Sequence, residues 1–338
     1  MGATLRDVAI LAGVSIKTVS NVVNDYAHIR PETRQKVQAA ITELGYSPNL
    51  SARGLRSGRT GVIGLAIPDL RQNYFSELAD LIIRAAEKRH LGVVVEQTGG
   101  DMDRELDVVS GRRLRLMDGL IFSPERLGQE HRELFHVDFP LVMLGERMTD
   151  APVDHISMDN VGGARAAVDH LLATGCRRIA IIGAHPDSRA AVRSADLRLQ
   201  GYREALAGAG IPVDPQLVRT AAPWHRENGA DAMRELLRDG VAFDGLIALN
   251  DTLALGALRA LGVAGVRVPH DVAVIGIDNI DESSFSLPSL SSIEPGRAEI
   301  ATLAVDMLLE RIQESGARQP ARRVMTGFTV ARRESTGF

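Results

Sequence analysis

The sequence predicts a two-part chain: a small all-α head, followed by a larger α/β body whose parallel sheets are divided between two lobes. Three observations carry this. Residues 1–60 show apolar positions at helical spacing and no strand-like run. From Gly61 onward, short Val/Ile/Leu runs alternate with amphipathic stretches. The charge also changes sign between the parts. Residues 1–60 hold eight Lys/Arg against four Asp/Glu, a net +4, which leaves −8 for the rest of a chain whose total is −4. A basic head on an acidic body suits an anionic partner for the head alone.

Composition narrows the class further. With 338 residues, 45% hydrophobic and 24% charged, the chain is long enough for two or three ordinary globular domains. It contains no uncharged apolar run of membrane-spanning length. Its start lacks an apolar signal region and enters a helical pattern at once, so the expected location is cytoplasmic. The single cysteine, Cys176, cannot form an internal disulfide, in keeping with a reducing compartment.

The head reads as three helices. Thr4 can cap the first, with Asp7 three residues on and Leu5, Val8, Ala9 and Ala12 on one face. Gly13-Val14 interrupts, and Ser15 caps a second helix running to about Asn24, with Val19, Val22 and Val23 inward. Pro31 opens a third helix, Val37, Ala40, Ile41 and Leu44 form its buried stripe, and Gly45 closes it. Two short helices joined by a Gly-containing turn and braced by a third form a helix-turn-helix unit. Such a unit presents the start of its second helix to the DNA major groove. Here that face offers Ile16, Lys17, Ser20 and Asn21 to base edges, while Thr4, Ser15, Thr18 and the helix N-termini suit phosphates. On pattern alone, the same three helices serve equally as a bundle packed against protein.

The stretches Thr4-Leu5-Arg6-Asp7-Val8-Ala9, Ala12-Gly13-Val14-Ser15 and Thr18-Val19-Ser20-Asn21-Val22-Val23-Asn24, continued by Val37 to Leu44 and Gly45-Tyr46-Ser47-Pro48-Asn49, resemble the signature of the lactose-repressor/galactose-repressor (LacI/GalR) family. The resemblance runs along nearly the whole chain and is most specific in the head. It implies that Ile16, Lys17 and Asn21 stand at base-reading positions. Many relatives carry Arg where Asn21 stands, so their operators do not transfer.

Residues 47–58 read SPNLSARGLRSG: a capping Ser47, Pro48 at a first helical position, and Gly54 and Gly58. A helix this short is marginal alone, and Gly54 lowers its propensity by a further ~1 kcal/mol. By itself the segment fits a basic linker. The resemblance implies a hinge helix in the minor groove, formed by Asn49, Ala52, Arg53, Gly54 and Leu55, with Leu55 as the wedge at a central base step.

In the body, strands are predicted at Val62–Ile67, Val93–Val95, Gly119–Phe122, Leu141–Leu144, Ile179–Gly183, Gly245–Leu249 and Val272–Ile277. Their continuous aliphatic runs mark strands buried on both faces. Roughly nine such strands exceed one comfortable open sheet, so two lobes are expected. A cleft beyond the strands' carboxyl ends would hold a ligand. Polar and aromatic residues follow those ends: Asp69 with Tyr74 and Phe75 after the first strand, Asp159 after Ile156, Asn250 after Leu249 and Asp278 after Ile277. Arg198 and the only tryptophan, Trp224, complete the set. Fixed carboxylates, amides and a forked guanidinium recognise hydroxyl groups, and an aromatic face covers a sugar ring. The same Asp and Asn residues also suit helix caps, and the tryptophan a core.

The strings Gly175-Cys176-Arg177-Arg178-Ile179-Ala180, Asn250-Asp251, Ile277-Asp278-Asn279 and Arg333-Glu334-Ser335-Thr336-Gly337 resemble the periplasmic-binding-protein-like body of the same family. That resemblance implies that Asp159, Arg198, Trp224, Asn250 and Asp278 stand at inducer-contacting positions. Two departures are visible: Cys176 replaces a frequent His, and Pro295 stands where some sugar-responsive relatives place Gln.

No GxGxxG after a strand, Walker sequence, zinc-spaced Cys/His set or GxSxG is present, so neither a cofactor, a metal nor catalysis is called for. The expected organisation is a DNA-binding head at 1–46, a hinge at 47–60 and a ligand-binding and dimerising body at 61–338, with a near lobe at about 61–160 and 293–325 and a far lobe at about 161–292. The partners that follow are a palindromic DNA operator, a small effector (a sugar first, a purine or nucleoside second) and a second copy of the chain, with no membrane. Beyond Val330 no apolar heptad appears that would make a tetramer. The competing classes are a transport solute-binding protein, which would lack the head, and a sugar-modifying enzyme, which would show turnover.

Overall fold

The computed structural model describes residues 3–23, 26, 28–46, 59–112, 116–148, 150–185, 194–315 and 319–337. It divides into two units, at Gly61.

In the first unit, helix α1 (Leu5–Ala12) begins in a capping box. The Thr4 hydroxyl accepts the Asp7 N–H at 3.3 Å, and the Asp7 carboxylate accepts the Thr4 N–H at 2.8 Å. Gly13, at φ 65°, ends the helix in the left-handed region, where a side chain would be strained. Helix α2 (Ile16–Val23) follows, its start held by the Ser15 hydroxyl, which accepts the Thr18 N–H at 3.1 Å. Helix α3 (Pro31–Leu44) has Pro31 in its first turn and Gly45 beyond its end. Val8, Ala9, Val19, Val22, Val37 and Ala40 form the shared core.

The second unit opens with β1 (Val62–Ile67), α4 (Asn73–Glu87), β2 (Gly92–Gln97), α5 (Met102–Val109), β3 (Gly119–Phe122), β4 (Leu141–Leu144) and β5 (Asp154–Met158). There follow α6 (Asn160–Ala173), β6 (Ile179–Ala184), α7 (Ser194–Gly208), β7 (Val218–Thr220), α8 (Arg226–Arg238), β8 (Gly245–Ala248), α9 (Asp251–Val263), β9 (Ala273–Ile277), α10 (Asp281–Phe285) and β10 (Ser291–Glu294). The chain ends with α11 (Arg297–Gln313), β11 (Arg323–Thr326) and β12 (Thr329–Ala331). The strands form two sheets, ordered β11-β5-β4-β3-β1-β2 and β12-β10-β9-β8-β6-β7. All described pairings are parallel except that of β12 with β10.

Each sheet is covered on both faces, as the aliphatic runs require. Ile63, Leu65 and Ile67 of β1 pack with Leu78 and Ile82 of α4 and Ala304 and Leu308 of α11, while Ala66 turns to Phe122 and Phe135. In the second sheet, Ile179 and Ile181 meet α6 and α7, and Ala180 and Ile182 meet α8 and α9. Helices α8 and α9 approach too closely for side chains at the crossing: a Cβ on Gly256 would lie 1.9 Å from the Arg226 carbonyl oxygen. Strand order reverses around β1 in one sheet and around β6 in the other, and the carboxyl ends beside such switch points form crevices.

The chain passes between the sheets near residues 159, 295 and 328. Ile293 and Glu294, assigned to the near lobe from sequence, complete a strand of the second sheet. The tail is tied to the same sheet: the Ser335 hydroxyl donates to the Val274 carbonyl at 2.6 Å, and the Thr336 hydroxyl lies 2.8 Å from Nε2 of the buried His170. No helix among the described residues is long and apolar enough to cross a membrane.

Candidate functional site

A cavity of about 380 Å³ lies at the carboxyl ends of strands from both sheets. Its first-lobe wall comes from Tyr74 and Phe75 of α4 and from the loops after β3 and β4, which bring Ser123, Glu125, Glu146 and Arg147. The β3 loop is held from beneath by Glu105, fully buried on α5, whose carboxylate accepts the N–H groups of Glu125 (2.7 Å), Arg126 (3.0 Å) and Leu127 (2.8 Å). Burial first, and the nearby Glu105 charge second, raise the Glu125 carboxyl pKa above its ordinary value. Tyr74 and Phe75 meet edge to face, 5.2 Å between centroids, and burial raises the Tyr74 phenol's pKa, keeping it a neutral donor.

The second-lobe wall is built around Arg198. This residue is 3% exposed on α7, and its guanidinium donates to Asn160 Oδ1 at 2.7 Å, to the Leu249 carbonyl and, at 3.4 Å, to Asp278. Trp224 stands beneath it, its indole N–H bound to the Gly183 carbonyl at 3.0 Å, with the His185 ring stacked at 6.3 Å. Asp278 follows β9 at φ 113°, a conformation L residues rarely adopt. Burial pushes its carboxyl up to about 6, opposed by Arg198 and Arg297. Behind it, Asp251 is fully buried and accepts the Ser292 and Ser283 hydroxyls (both 2.6 Å) and the Ile280 N–H (3.0 Å). Burial first, and the Asp278 charge second, push Asp251 to about 7.

Of the residues expected to bind an effector, Tyr74, Phe75, Arg198, Trp224 and Asp278 line the cavity. Asp69, Asp159 and Asn250 do not. Asp69 accepts the Arg71 N–H and faces His225 at 3.6 Å. Asp159 caps α6 through the Gly162 N–H (2.8 Å), and Asn250 caps α9 through the Leu253 N–H (2.8 Å). For these two, the first turn of the next helix takes the side-chain oxygen. Sequence reasoning missed Ser123, Glu125, Glu146, Arg147 and His185. Their signal was available, since they follow predicted strands at their carboxyl ends.

In the head, Ser15, Ile16 and Lys17 are exposed, and Thr18, Ser20 and Asn21 are partly exposed along α2. The hydroxyls of Thr4 and Thr18 are engaged in the caps, on Asp7 (2.7 Å) and Ser15 (2.9 Å) respectively. Asn49, Ala52, Arg53 and Leu55 lie outside the described residues.

A helix-turn-helix unit joined to a two-lobed α/β body with a polar, aromatic-walled cleft defines a DNA-binding transcription regulator under effector control. Residues 4–49 match the bacterial regulatory proteins of the lacI family, and residues 168–336 match the periplasmic binding protein-like domain. The ribose operon repressor of Escherichia coli (strain K12) is 35% identical over 322 residues, covering 94% of this chain and 95% of its own. Among solved structures, the transcriptional regulator CelR–cellobiose complex superposes with a TM-score of 0.71 at 30% identity, over 98% of this chain and 99% of that one. The lac repressor dimer bound to operator and the anti-inducer ONPF gives 0.80 at 28%, over 99% of both. The chain belongs to the LacI family of bacterial regulatory proteins.

Proposed function

We propose that this protein represses transcription as a cytoplasmic homodimer on a palindromic operator, and that a sugar held in the cleft sets its operator affinity. In this reading, residues 1–46 read the major groove through Ile16, Lys17 and Asn21, and residues 47–60 enter the minor groove with Leu55 as a wedge. Residues 61–338 bind the effector and the partner copy. The observation that carries the effector reading is the convergence of Arg198, Asp278 and Trp224 from one lobe with Tyr74, Phe75 and Glu146 from the other on a single cavity. A fork, carboxylates and aromatic faces in that arrangement are what hydroxylated rings require. The repressor relative named for a ribose operon and the cellobiose complex of CelR support a sugar. The operator-bound lac repressor dimer supports two-fold assembly, because one helix-turn-helix reads only a half-site. The protein binds without turning its effector over, as expected of a relative of regulators.

A purine or nucleoside is the second reading. It is favoured by one feature: the Tyr74–Phe75 pair on one wall and Trp224 on the other can sandwich a base. Thermal-shift screening against pentoses, hexoses, cellobiose and nucleosides separates the two, since a ligand at a hundredfold excess over its Kd stabilises the native state by ~2.7 kcal/mol. Selection of bound sites from random DNA, with and without the stabilising compound, then tests control. A half-site without symmetry, or an affinity blind to every stabilising compound, would sink the reading.

A further inference from the structure

Arg297 opens α11, a helix packed on the first sheet, yet its guanidinium also reaches a loop of the second lobe. It donates to the carbonyl oxygens of both Asp278 and Asn279 at 3.0 Å each, and pairs with Glu77 of α4 at 3.0 Å and, more distantly, with Glu294 at 3.9 Å. Asp278 and Asn279 are consecutive non-glycine residues at positive φ, 113° and 50°. Two left-handed residues in a row persist only where their surroundings over-determine them. Here the determinants are Arg297 on the two carbonyls, the Ser292 hydroxyl accepting the Asn279 N–H at 3.0 Å, the Asn279 side chain held between Glu294 (3.1 Å) and Arg333 (2.6 Å), and Asp251 accepting the Ile280 N–H at 3.0 Å. The grip continues one residue on, since Glu77 also accepts the Asp281 N–H at 3.0 Å. A first-lobe ion pair thus holds a second-lobe loop by three backbone groups, and that loop carries Asp278 into the cavity. Arg297 is 8% exposed and its Nε has no partner among the described residues, so it keeps its place despite an unmet buried donor.

We propose that Arg297, with Glu77 as its counter-ion, is a positioning residue that fixes the strained 278–281 loop for the effector and fastens that loop to the first lobe. A change at Asp278 is then felt at α4 and α11. The inference rests on the reading of the cleft as an effector site, but its test needs neither DNA nor a ligand.

Spin labels carried by Arg84→Cys (α4) and Arg234→Cys (α8), both exposed positions, in a Cys176→Ala background report the distance between lobes in the full-length protein. Amide exchange reports the loop. Arg297→Met keeps the bulk of the side chain and removes every donor. It is expected to speed exchange at Asn279, Ile280 and Asp281 by about tenfold or more, to leave the β9 amides protected, and to broaden or shift the inter-lobe distance. Arg297→Lys, which keeps the charge and loses the fork, should restore part of both effects. Glu77→Gln guards against misfolding of the first variant. It retains the side-chain length and an oxygen able to accept the Asp281 N–H, removes the charge that pairs with Arg297, and should speed exchange at Asp281 less than Arg297→Met does while moving the distance in the same direction. A purely local packing role would change the exchange and leave the distance alone. That outcome, or unchanged exchange in both variants, overturns the proposal.

Discussion

The guanidinium of Arg198 sits over the Trp224 ring, 5.4 Å from its centroid. The cation is therefore shared between an aromatic face and the Asp278 carboxylate, and a ring entering the cleft meets both through one buried side chain. The same guanidinium also satisfies the Leu249 carbonyl and Asn160.

Arg198→Ala is accordingly expected to fail twice. Truncating a buried charged partner costs binding ~2–5 kcal/mol, which removes the response to sugar. It also leaves the Leu249 carbonyl and Asp278 without their donor, so the apo protein should unfold at a lower temperature. Operator affinity without sugar should stay near the wild-type value. Arg198→Lys should recover stability in part and binding hardly at all, because it lacks the planar fork. Calorimetry with the sugar found by screening, beside thermal unfolding of each variant, checks both halves. Normal sugar affinity in Arg198→Ala would place the effector elsewhere.

The long elements were legible because their signals are redundant. Thr4, Gly13, Ser15, Pro31 and Gly45 mark helix ends by mechanisms that act within one turn, and the aliphatic runs of β1, β3 and β4 carry their own burial. The short edge strands β7, β11 and β12 carry no such signal: each is three or four residues long and partly polar, and is made a strand by its neighbour alone. Strand-end polarity correctly indicated a cavity, yet could not say which oxygen turns inward. Asp278 is held there by the positive-φ loop, whereas Asp159 and Asn250 are captured by the helices they precede. Arg297 gave no sign in sequence: apart from Glu294, three positions before it, its partners lie 18 to 220 positions away.

Stability should carry the signature of the buried acids. Asp251 and Asp278, at about 7 and about 6, both lie above the ordinary 3.8, so the folded state holds protons that the unfolded chain has released. Their contribution is greatest near pH 4 and is lost as the pH rises toward 7, by up to ~1.4 kcal/mol per unit for each group. The buried His155 and His170, whose pKa values burial lowers, act in the opposite sense, gaining stability as the pH rises. The decisive quantity is therefore a difference of slopes. Urea unfolding at about pH 5, 6 and 7 should show wild type losing more stability with rising pH than Asp251→Asn. Parallel curves would mean that Asp251 does not titrate in this window.

On the DNA side, Lys17 is exposed in the first turn of α2, whereas the Thr18 hydroxyl is already shared with Ser15. Lys17→Ala should cost ~1–3 kcal/mol and relax preference at one position per half-site. Thr18→Ala should weaken binding about equally on all sequences, as loss of a phosphate-facing group and its cap partner would. Site selection from random DNA distinguishes the two patterns. An unaltered preference in Lys17→Ala would remove it from the reading set.

Glu146 offers the sharpest test of what the cleft recognises. Its Oε2 accepts the Ser194 hydroxyl at 2.8 Å, joining the β4 loop of one lobe to the start of α7 in the other. Its Oε1 is buried in the cavity wall with no donor among the described residues. A buried carboxylate oxygen lacking a donor costs stability in the free protein, and a ligand hydroxyl placed there relieves that cost. Glu146→Gln keeps the shape, replaces one acceptor by an N–H group, and should reduce sugar affinity by ~1–3 kcal/mol without lowering the unfolding temperature of the free protein. A sugar lacking the hydroxyl that meets Glu146 should bind wild type and variant alike, so a set of deoxy-sugars measured on both proteins locates that hydroxyl. If every deoxy-sugar loses the same increment between wild type and variant, Glu146 acts on the ligand only through the shape of the cleft, without direct contact.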